Sequence, residues 1–492
     1  MSLPVAQLLS MHEGKTLEFK RDLSSPRNIL KTLVAFANTA GGRLFIGVED
    51  GSKEVLGIAN PLDEEERLCS LIADNIEPRL VPNVELIAVE DKTLLGVEVY
   101  PSGSRPHWIK KEGPADGVYV RLGSTNRKAD KELIAELKRS AAGTAFDELP
   151  LPELTADALD LVSARALFAG QRELNEKELL TLKLLAPVQG RLVPTIGGVL
   201  LFGRDREEHF PDAWIQCGRF PGTTKNVIFD HTEIHEHLPI AVERVIEFIK
   251  KHAMRGADLS EIRRRDVWSV PMTIVREAVI NAIVHADYSQ IGAPLRVAIY
   301  DDRVEIENPG ILLPGMTIED VRQGVSKIRN RAIARVFREL GLIEQWGSGF
   351  RRILDEAEKQ NLPEPVLEEI GMKVRFTVFL AENISPGIKH EVVEETEEQV
   401  TEQVTEQVTE HVTEHVTEQV KRLLICLKEK PSGARDAMQC LGLSHRPTFL
   451  YDYLKPAIQA GFVQMTQPES PKSPTQKYRL TEKGKRRLER GE

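Results

Sequence analysis

The stretch Pro271–Tyr288, PMTIVREAVINAIVHADY, decides how the rest of the chain reads. Its apolar residues recur at helical spacing, and Glu277 and Asn281 lie four apart, so both side chains leave one face of the helix. A carboxylate in that position can orient or deprotonate a water, and a neutral amide oxygen beside it can ligate Mg²⁺ next to phosphates. Glu and Asn at this spacing also recur by chance, so the pair gains meaning from the residues downstream. LRVAIYDDRVEIENPG (295–310) reads as two strands around Asp301-Asp302, ending at Asn308-Pro309-Gly310. Asn308 at a strand end can hydrogen-bond an adenine edge, and Gly310 lets the backbone approach the base. Gly347-Ser348-Gly349-Phe350 then opens the helix RRILDEAEK, a favourable phosphate position, and the strand KVRFTVFL closes the unit.

In this order the ExxxN helix, the strand-end box and the glycine-rich box resemble the GHKL ATPase superfamily, in its RecG C-terminal-like variant. The likeness covers residues 271–380. It implies an α/β sandwich that binds ATP and Mg²⁺, with Glu277 as general base and Asn281 as metal ligand. Asn308 would face adenine, Gly310 would line the base pocket, and Gly347 and Gly349 would lie near the phosphates. Two departures bear on hydrolysis more than on binding: Asn308 stands where most members have Asp, and Leu312 replaces the second glycine of that box. In the expected lid, GVSKIRNRAI, Arg329 is placed either to fork a phosphate or on a solvated helix face, beside Ser326 and Asn330. His285 and Asp287 are read as capping and packing residues rather than a catalytic pair. No Walker-type phosphate loop is present, which argues against a helicase motor.

Residues 1–140 alternate strands and helices and read as one α+β domain: TLEFK, the helix RNILKTLVAFANTA, the strand RLFIGVED, a helix near 62–76, the pair VELIAVE and TLLGVEVY, and the helix ADKELIAELKRS. If the first and second strands are neighbours, Glu13, Glu18 and Asp50 converge with Lys20 on one edge, where clustered carboxylates can hold Mg²⁺ or Mn²⁺. On the residues alone, Glu13 and Asp50 read as surface and turn positions. LEFKRD, AFANTAGG, GVED and YVRLGSTNR resemble the Alba-like domain of the Schlafen family. Some relatives cleave RNA with two Glu and one Asp, which map onto Glu13, Glu18 and Asp50, while others only bind nucleic acid. Lys20, Arg21, Arg121, Arg127 and Lys128 are the candidate phosphate contacts.

The formal net charge of −10 hides an uneven distribution. Residues 391–420 hold ten Glu and no Lys or Arg, and include the tetrapeptide repeat VTEQVTEQVTEHVTEHVTEQV. Four residues advance a helix by about 400°, so the valines drift around it and make no straight seam; a solvated spacer is expected. Residues 421–492 hold fifteen Lys and Arg against seven Asp and Glu, a local balance of +8 that suits nucleic acid. That stretch reads as three helices and a hairpin and resembles a winged helix. Arg446, Thr448 and Lys455 would face a major groove and Lys472 a phosphate.

The 492 residues predict a multidomain α+β chain: a Schlafen-type Alba-like domain (1–140), a linker (141–156), a GHKL-like domain with its preceding α/β region (157–385), an acidic linker (386–420) and a winged helix (421–492). IGGVLLFG (196–203) is expected as a central strand. Cys69, Cys217, Cys426 and Cys440 lack framework spacing and read as buried thiols of a reducing compartment. With neither export signal nor membrane span, a cytoplasmic protein that forms homo-oligomers is expected. The reading in function is an ATP-binding, nucleic-acid-binding regulator whose nucleotide occupancy controls its flanking modules. Its rivals are a metal-dependent endoribonuclease acting on tRNA or other RNA, as in phage defence, and a winged-helix transcriptional regulator with a degenerate ATP site.

Overall fold

The computed structural model describes residues 5–258, 265–343, 349–381, 418–428, 432–441, 453–454, 457–458, 462–466 and 477–489. They fall into two compact units, Met1–Ile388 and Lys389–Glu492. Within the first, Leu17–Lys20, Gly42–Ile46, Lys92–Val99 and Asn83–Val89 form a four-stranded sheet in that order. The helix Pro26–Asn38 packs on it because Leu33, Val34, Phe36 and Ala37 all point inward. The first two strands pair in parallel, with Glu18 opposite Leu44.

A six-stranded mixed sheet comes next, in the order Asp230–Ile234, Ile215–Arg219, Leu295–Ile299, Arg303–Pro309, Lys373–Phe379 and Val366–Ile370. Residues 157–270 contribute two of these strands, and the sheet shares one continuous apolar core with the helices Leu238–His252 and Met272–His285. IGGVLLFG is not a strand. Ile196–Phe202 is a fully buried helix, capped by the Thr195 hydroxyl accepting from the Gly198 amide at 2.9 Å. A short unbroken apolar run fits a core helix or a core strand equally, and here the cap and the close seat of Gly198 on Leu184 decide.

The stretch 141–156 is packed, not a solvated connector. The buried Asp147 carboxylate accepts from the amides of Arg331 at 3.0 Å and Ile333 at 2.9 Å, capping the helix Arg331–Glu339, whose own preceding residue supplies no cap. Burial pushes the Asp147 carboxyl up to about 6.

The two sheet modules are joined by buried polar contacts. Arg329 donates to Glu136 of the helix Lys131–Ala142 and to the Ile311 carbonyl. Lys15 pairs with Glu369 at 2.6 Å, and the Gly315 amide donates to the Thr39 carbonyl at 2.7 Å. Around them Val118, Val120, Leu133 and Leu137 enclose Ile311 in a small shared core.

In the second unit the helices Glu418–Cys426, Ala434–Leu441 and Glu482–Glu489 accompany a three-stranded sheet in the order Ser432–Gly433, Lys477–Leu480, Val463–Met465. Leu423, Leu424, Phe462, Tyr478 and Leu480 form its core. Arg446, Thr448, Lys455, Lys472 and the repeat through residue 417 lie outside the described residues. The expectation of four buried thiols fails: Cys426 and Cys440 form a disulfide and Cys69 is exposed. Only Cys217 is a buried free thiol. The two paired cysteines sit on separate helices whose packing, not their spacing, brings them together. Among the described residues no helix is long and apolar enough to cross a membrane.

Glu136→Gln would leave the buried Arg329 guanidinium without its counter-charge, at a cost of about 3–5 kcal/mol. Thermal unfolding is expected at a lower temperature, with earlier protease cleavage within 141–156. An unchanged melting curve and cleavage pattern would remove this pair from the seam's energetics.

Candidate nucleotide site

The helix Met272–His285 turns Ile274, Val275, Ala278, Val279 and Ile283 into the core. Its other face carries Glu277, Asn281 and His285 at successive four-residue steps into a cavity of about 320 Å³. The last carbonyls of the helix lack intrahelical partners. Asn330 supplies them, its amide donating to Val284 at 2.9 Å and Ala286 at 2.7 Å. Ile306 and Asn308 of the strand Arg303–Pro309, with Val374 and Phe376 of its neighbour, form the opposite wall. The segment from Ile311 to Arg329 forms a third side.

Glu277 is held on three sides. Its carboxylate accepts from the Asn281 amide at 3.2 Å and from the Arg352 guanidinium at 3.2 Å. It also lies against Gly349, where a β-carbon would collide with it. Gly349 therefore seats the carboxylate; Gly347 lies outside the described residues. Asn308 is buried in the cavity wall, and its amide donates to the Pro309 carbonyl at 3.3 Å. Gly310 does not line the cavity. At φ +98° it makes room for Asp287 and Arg329, which a β-carbon would approach to 2.8 and 3.2 Å.

Arg329 lines the cavity but is no free phosphate fork, because Glu136 and the Ile311 carbonyl already occupy its two terminal nitrogens. Burial holds it down at about 10. Leu312 spends its amide on Glu369 at 2.8 Å. Ser326 also lines the cavity. Asp287 is a buried turn residue, accepting from the Ser289 amide and hydroxyl at 3.1 and 2.6 Å. Two residues gain importance beyond their sequence reading. His285 faces the cavity, and burial lowers it to about 4, so its ring is neutral at pH 7. Arg338 stands exposed at the cavity. The signals for them were the second four-residue step from Glu277 and the basic positions 331, 335 and 338 on one helix.

The N-terminal carboxylates are not gathered. Glu18 is buried between Lys20 and Arg121, Glu13 accepts from the Phe19 amide at 2.8 Å, and Asp50 is exposed in a turn beyond the strand. Among the described residues no three His, Cys, Asp or Glu side chains could hold a metal ion. The parallel register accounts for this, since it pairs Glu18 with Leu44 and leaves Asp50 four residues past Ile46. Arg121 is fully buried, bonded to Glu18, the Gly14 carbonyl and Asn126, and cannot reach a phosphate. Lys20 is half-buried against Glu18. Arg21, Arg127 and Lys128 are exposed, with Arg21 paired to Glu49 and Lys128 to Asp116.

Residues 13–130 match the family "Schlafen, AlbA_2". The AlbA_2 match spans the whole four-stranded module and the Tyr119–Lys128 hairpin. Residues 292–380 match "Putative ATP-dependent DNA helicase recG C-terminal", a segment that begins just after the Glu277 helix. Residues 418–481 match "Filamentation induced by cAMP protein Fic-like, C-terminal domain". Among solved structures, the DIP2311 protein of Corynebacterium diphtheriae is 18% identical, with 99% of this chain and 97% of that one covered and a TM-score of 0.41. The N-terminal domain of a RecG-related protein from Nitrosomonas europaea is 27% identical over 26% of this chain and 94% of that one, with a TM-score of 0.22. A Fic family protein from Desulfovibrio desulfuricans is 17% identical over 72% and 77%, with a TM-score of 0.14.

The His285 ring yields a pH dependence. Its folded pKa near 4 lies below the ordinary value of 6.5, so its contribution to stability is complete above 6.5 and is lost as pH falls toward 4. Wild type should lose melting temperature across that window relative to His285→Asn, and parallel curves would show that the ring protonates freely in the fold.

Proposed function

We propose that this chain is an ATP-binding regulator of nucleic-acid contacts, in which nucleotide occupancy sets how the AlbA_2 module is held. The observation that carries the reading is the cavity between Glu277, Asn281, His285 and Asn308, whose third side is held by the AlbA_2 module. Its volume of about 320 Å³ falls within the range of small-molecule pockets. Ile306, Val374 and Phe376 offer an apolar slot for a base, and Asn308 a polar edge for it. Lys327, Arg338 and Arg352 supply positive charge for phosphates. Asn281 would ligate Mg²⁺ through its amide oxygen, and Glu277 would hold a water. Bound Mg²⁺–ATP would supply charge neutralisation and a cleavable phosphoanhydride.

Control arises from shared residues. Ile311 and Arg329 line the cavity, and the same two residues meet the AlbA_2 module through its apolar core and Glu136. A ligand that prefers one arrangement of this segment shifts the module with it. On the module, the exposed Arg21, Arg127 and Lys128 are suited to backbone phosphates. In the C-terminal unit, the local charge of +8 and the helix-and-sheet arrangement support a winged-helix role in DNA binding.

Mg²⁺–ATP should raise the melting temperature of wild type and much less that of Asn281→Ala; equal shifts would displace the nucleotide from this cavity. Single-stranded RNA or duplex DNA should bind with an affinity that changes when Mg²⁺–ATP is added, and Glu136→Gln should erase that change. Replacing Arg127 and Lys128 by Gln should lower the salt slope of binding by about 1–2. A nucleic-acid affinity indifferent to both nucleotide and these substitutions would defeat the regulatory reading.

A further inference from the structure

A second cavity, of about 550 Å³, lies on the seam between the two sheet modules. Arg105 and Arg139 line it from the AlbA_2 side, and Lys327, Arg329, Arg331, Arg335 and Arg338 from the other. Against these seven cations stand two lining carboxylates, Glu136 and Asp287. Glu136 is spent on Arg329, and Glu148 lies 3.9 and 3.6 Å from Arg331 and Arg335. Asp287 stays 4.0 Å from Arg329.

The remaining cations are underused. Arg139 is half-buried, stacks on the Phe146 ring at 4.9 Å, and meets no acceptor among the described residues. Arg338 likewise has none, and Lys327 donates to the Pro314 carbonyl at 3.0 Å. Arg105 bonds the Ser102 carbonyl at 2.5 Å and Ser140 at 3.2 Å, yet its Nε is buried and unpartnered. The Nε of Arg329, a side chain only 7% exposed, is also without a partner. Guanidinium donors left unbonded out of water are costly, and several of one sign in one cavity repel each other. Burial accordingly lowers both Arg105 and Arg139. A multiply charged oxyanion would bond the open guanidinium groups of Arg139 and Arg338 in bidentate fashion and relieve the repulsion among the cations around it.

We propose that this seam cavity binds a small ligand through a polyphosphate chain, at a site that adjoins the Glu277–Asn281 pocket but does not need Asn281. The pocket and the seam adjoin along Lys327, Arg329 and Arg338, so a polyphosphate here would grip the segment that walls the nucleotide cavity. The phosphate chain is the recognised group, whether free or carried by a nucleoside.

The test is titration calorimetry on the full-length chain with inorganic tripolyphosphate and, separately, a nucleoside triphosphate. Asn281→Ala should retain tripolyphosphate binding, and Arg139→Gln and Arg335→Gln should each weaken it about ten-fold or more. Arg139→Gln should leave the Mg²⁺–ATP melting shift in place. Arg139→Lys should recover only part of the affinity, since charge returns without the fork. In Asn281→Ala, equal affinities for the two ligands would identify the phosphate chain as sufficient, and tighter nucleoside triphosphate would identify a nucleotide. Loss of tripolyphosphate binding in Asn281→Ala, indifference to both arginine variants, or no binding at millimolar ligand would overturn the site.

Discussion

Arg329 and Glu136 meet where each, without the other, would be a charge held out of water. Both side chains are over nine-tenths buried, and they come from positions 193 residues apart. A buried ion pair returns little net stability, because desolvation of the two charges offsets most of their attraction. Its energetic weight lies in what it forbids. Any arrangement of the modules that separates the pair leaves a charge out of water, so the pair fixes one docking register among the many that the surrounding apolar contacts would accept. Lys15–Glu369 repeats the device at a second point, with the Leu312 amide joined to the same carboxylate. Burial lowers Lys15 while Glu369 draws it back up, which is the balance expected of a pair held in place by its surroundings.

From that register the rest of the functional geometry descends. Ile311 is an AlbA_2 core residue by packing and a cavity residue by position. The segment it begins is tied to the neighbouring module by Ile311 and Arg329, and the seam cavity is lined from both modules. Asp147 reinforces this, since it caps the helix Arg331–Glu339 from a stretch that joins the modules. Its carboxyl, pushed up to about 6 by burial, adds stability at low pH that is lost as pH rises through that value. At neutral pH the cap is thus a charged group working against its desolvation, which the two amides must offset.

Periodicity made much of this fold legible. The Glu277 helix, the strand pair around Asp301-Asp302 and the helix Pro26–Asn38 can all be read from spacing and punctuation in the sequence. What stayed hidden were facts about partners distant in the chain. Arg121 reads as a surface cation beside a turn, and only the fold shows it buried on Glu18. The same contact removes Glu18 from any metal cluster, so one unseen pairing misplaced both a phosphate ligand and a carboxylate. IGGVLLFG failed for a different reason: an apolar run without polar punctuation carries no period to read. The Cys426–Cys440 bridge depends on the packing of two helices, which spacing does not encode.

In the proposed nucleotide site, the Glu277–Asn281 pair would divide metal binding from turnover. Asn281 donates its amide nitrogen to Glu277, which leaves its oxygen, the atom a hard cation prefers, unspent. That half of the site is organised before any ligand arrives. Glu277 is the opposite case, since one carboxylate oxygen accepts from Asn281, the other from Arg352, and Gly349 lies against it. The carboxylate keeps lone pairs toward the cavity for a water, and Arg352 is the partner that a bound phosphate would compete for. In the proposed function, nucleotide binding would use groups already in position, whereas hydrolysis would draw on a carboxylate that Arg352 already engages.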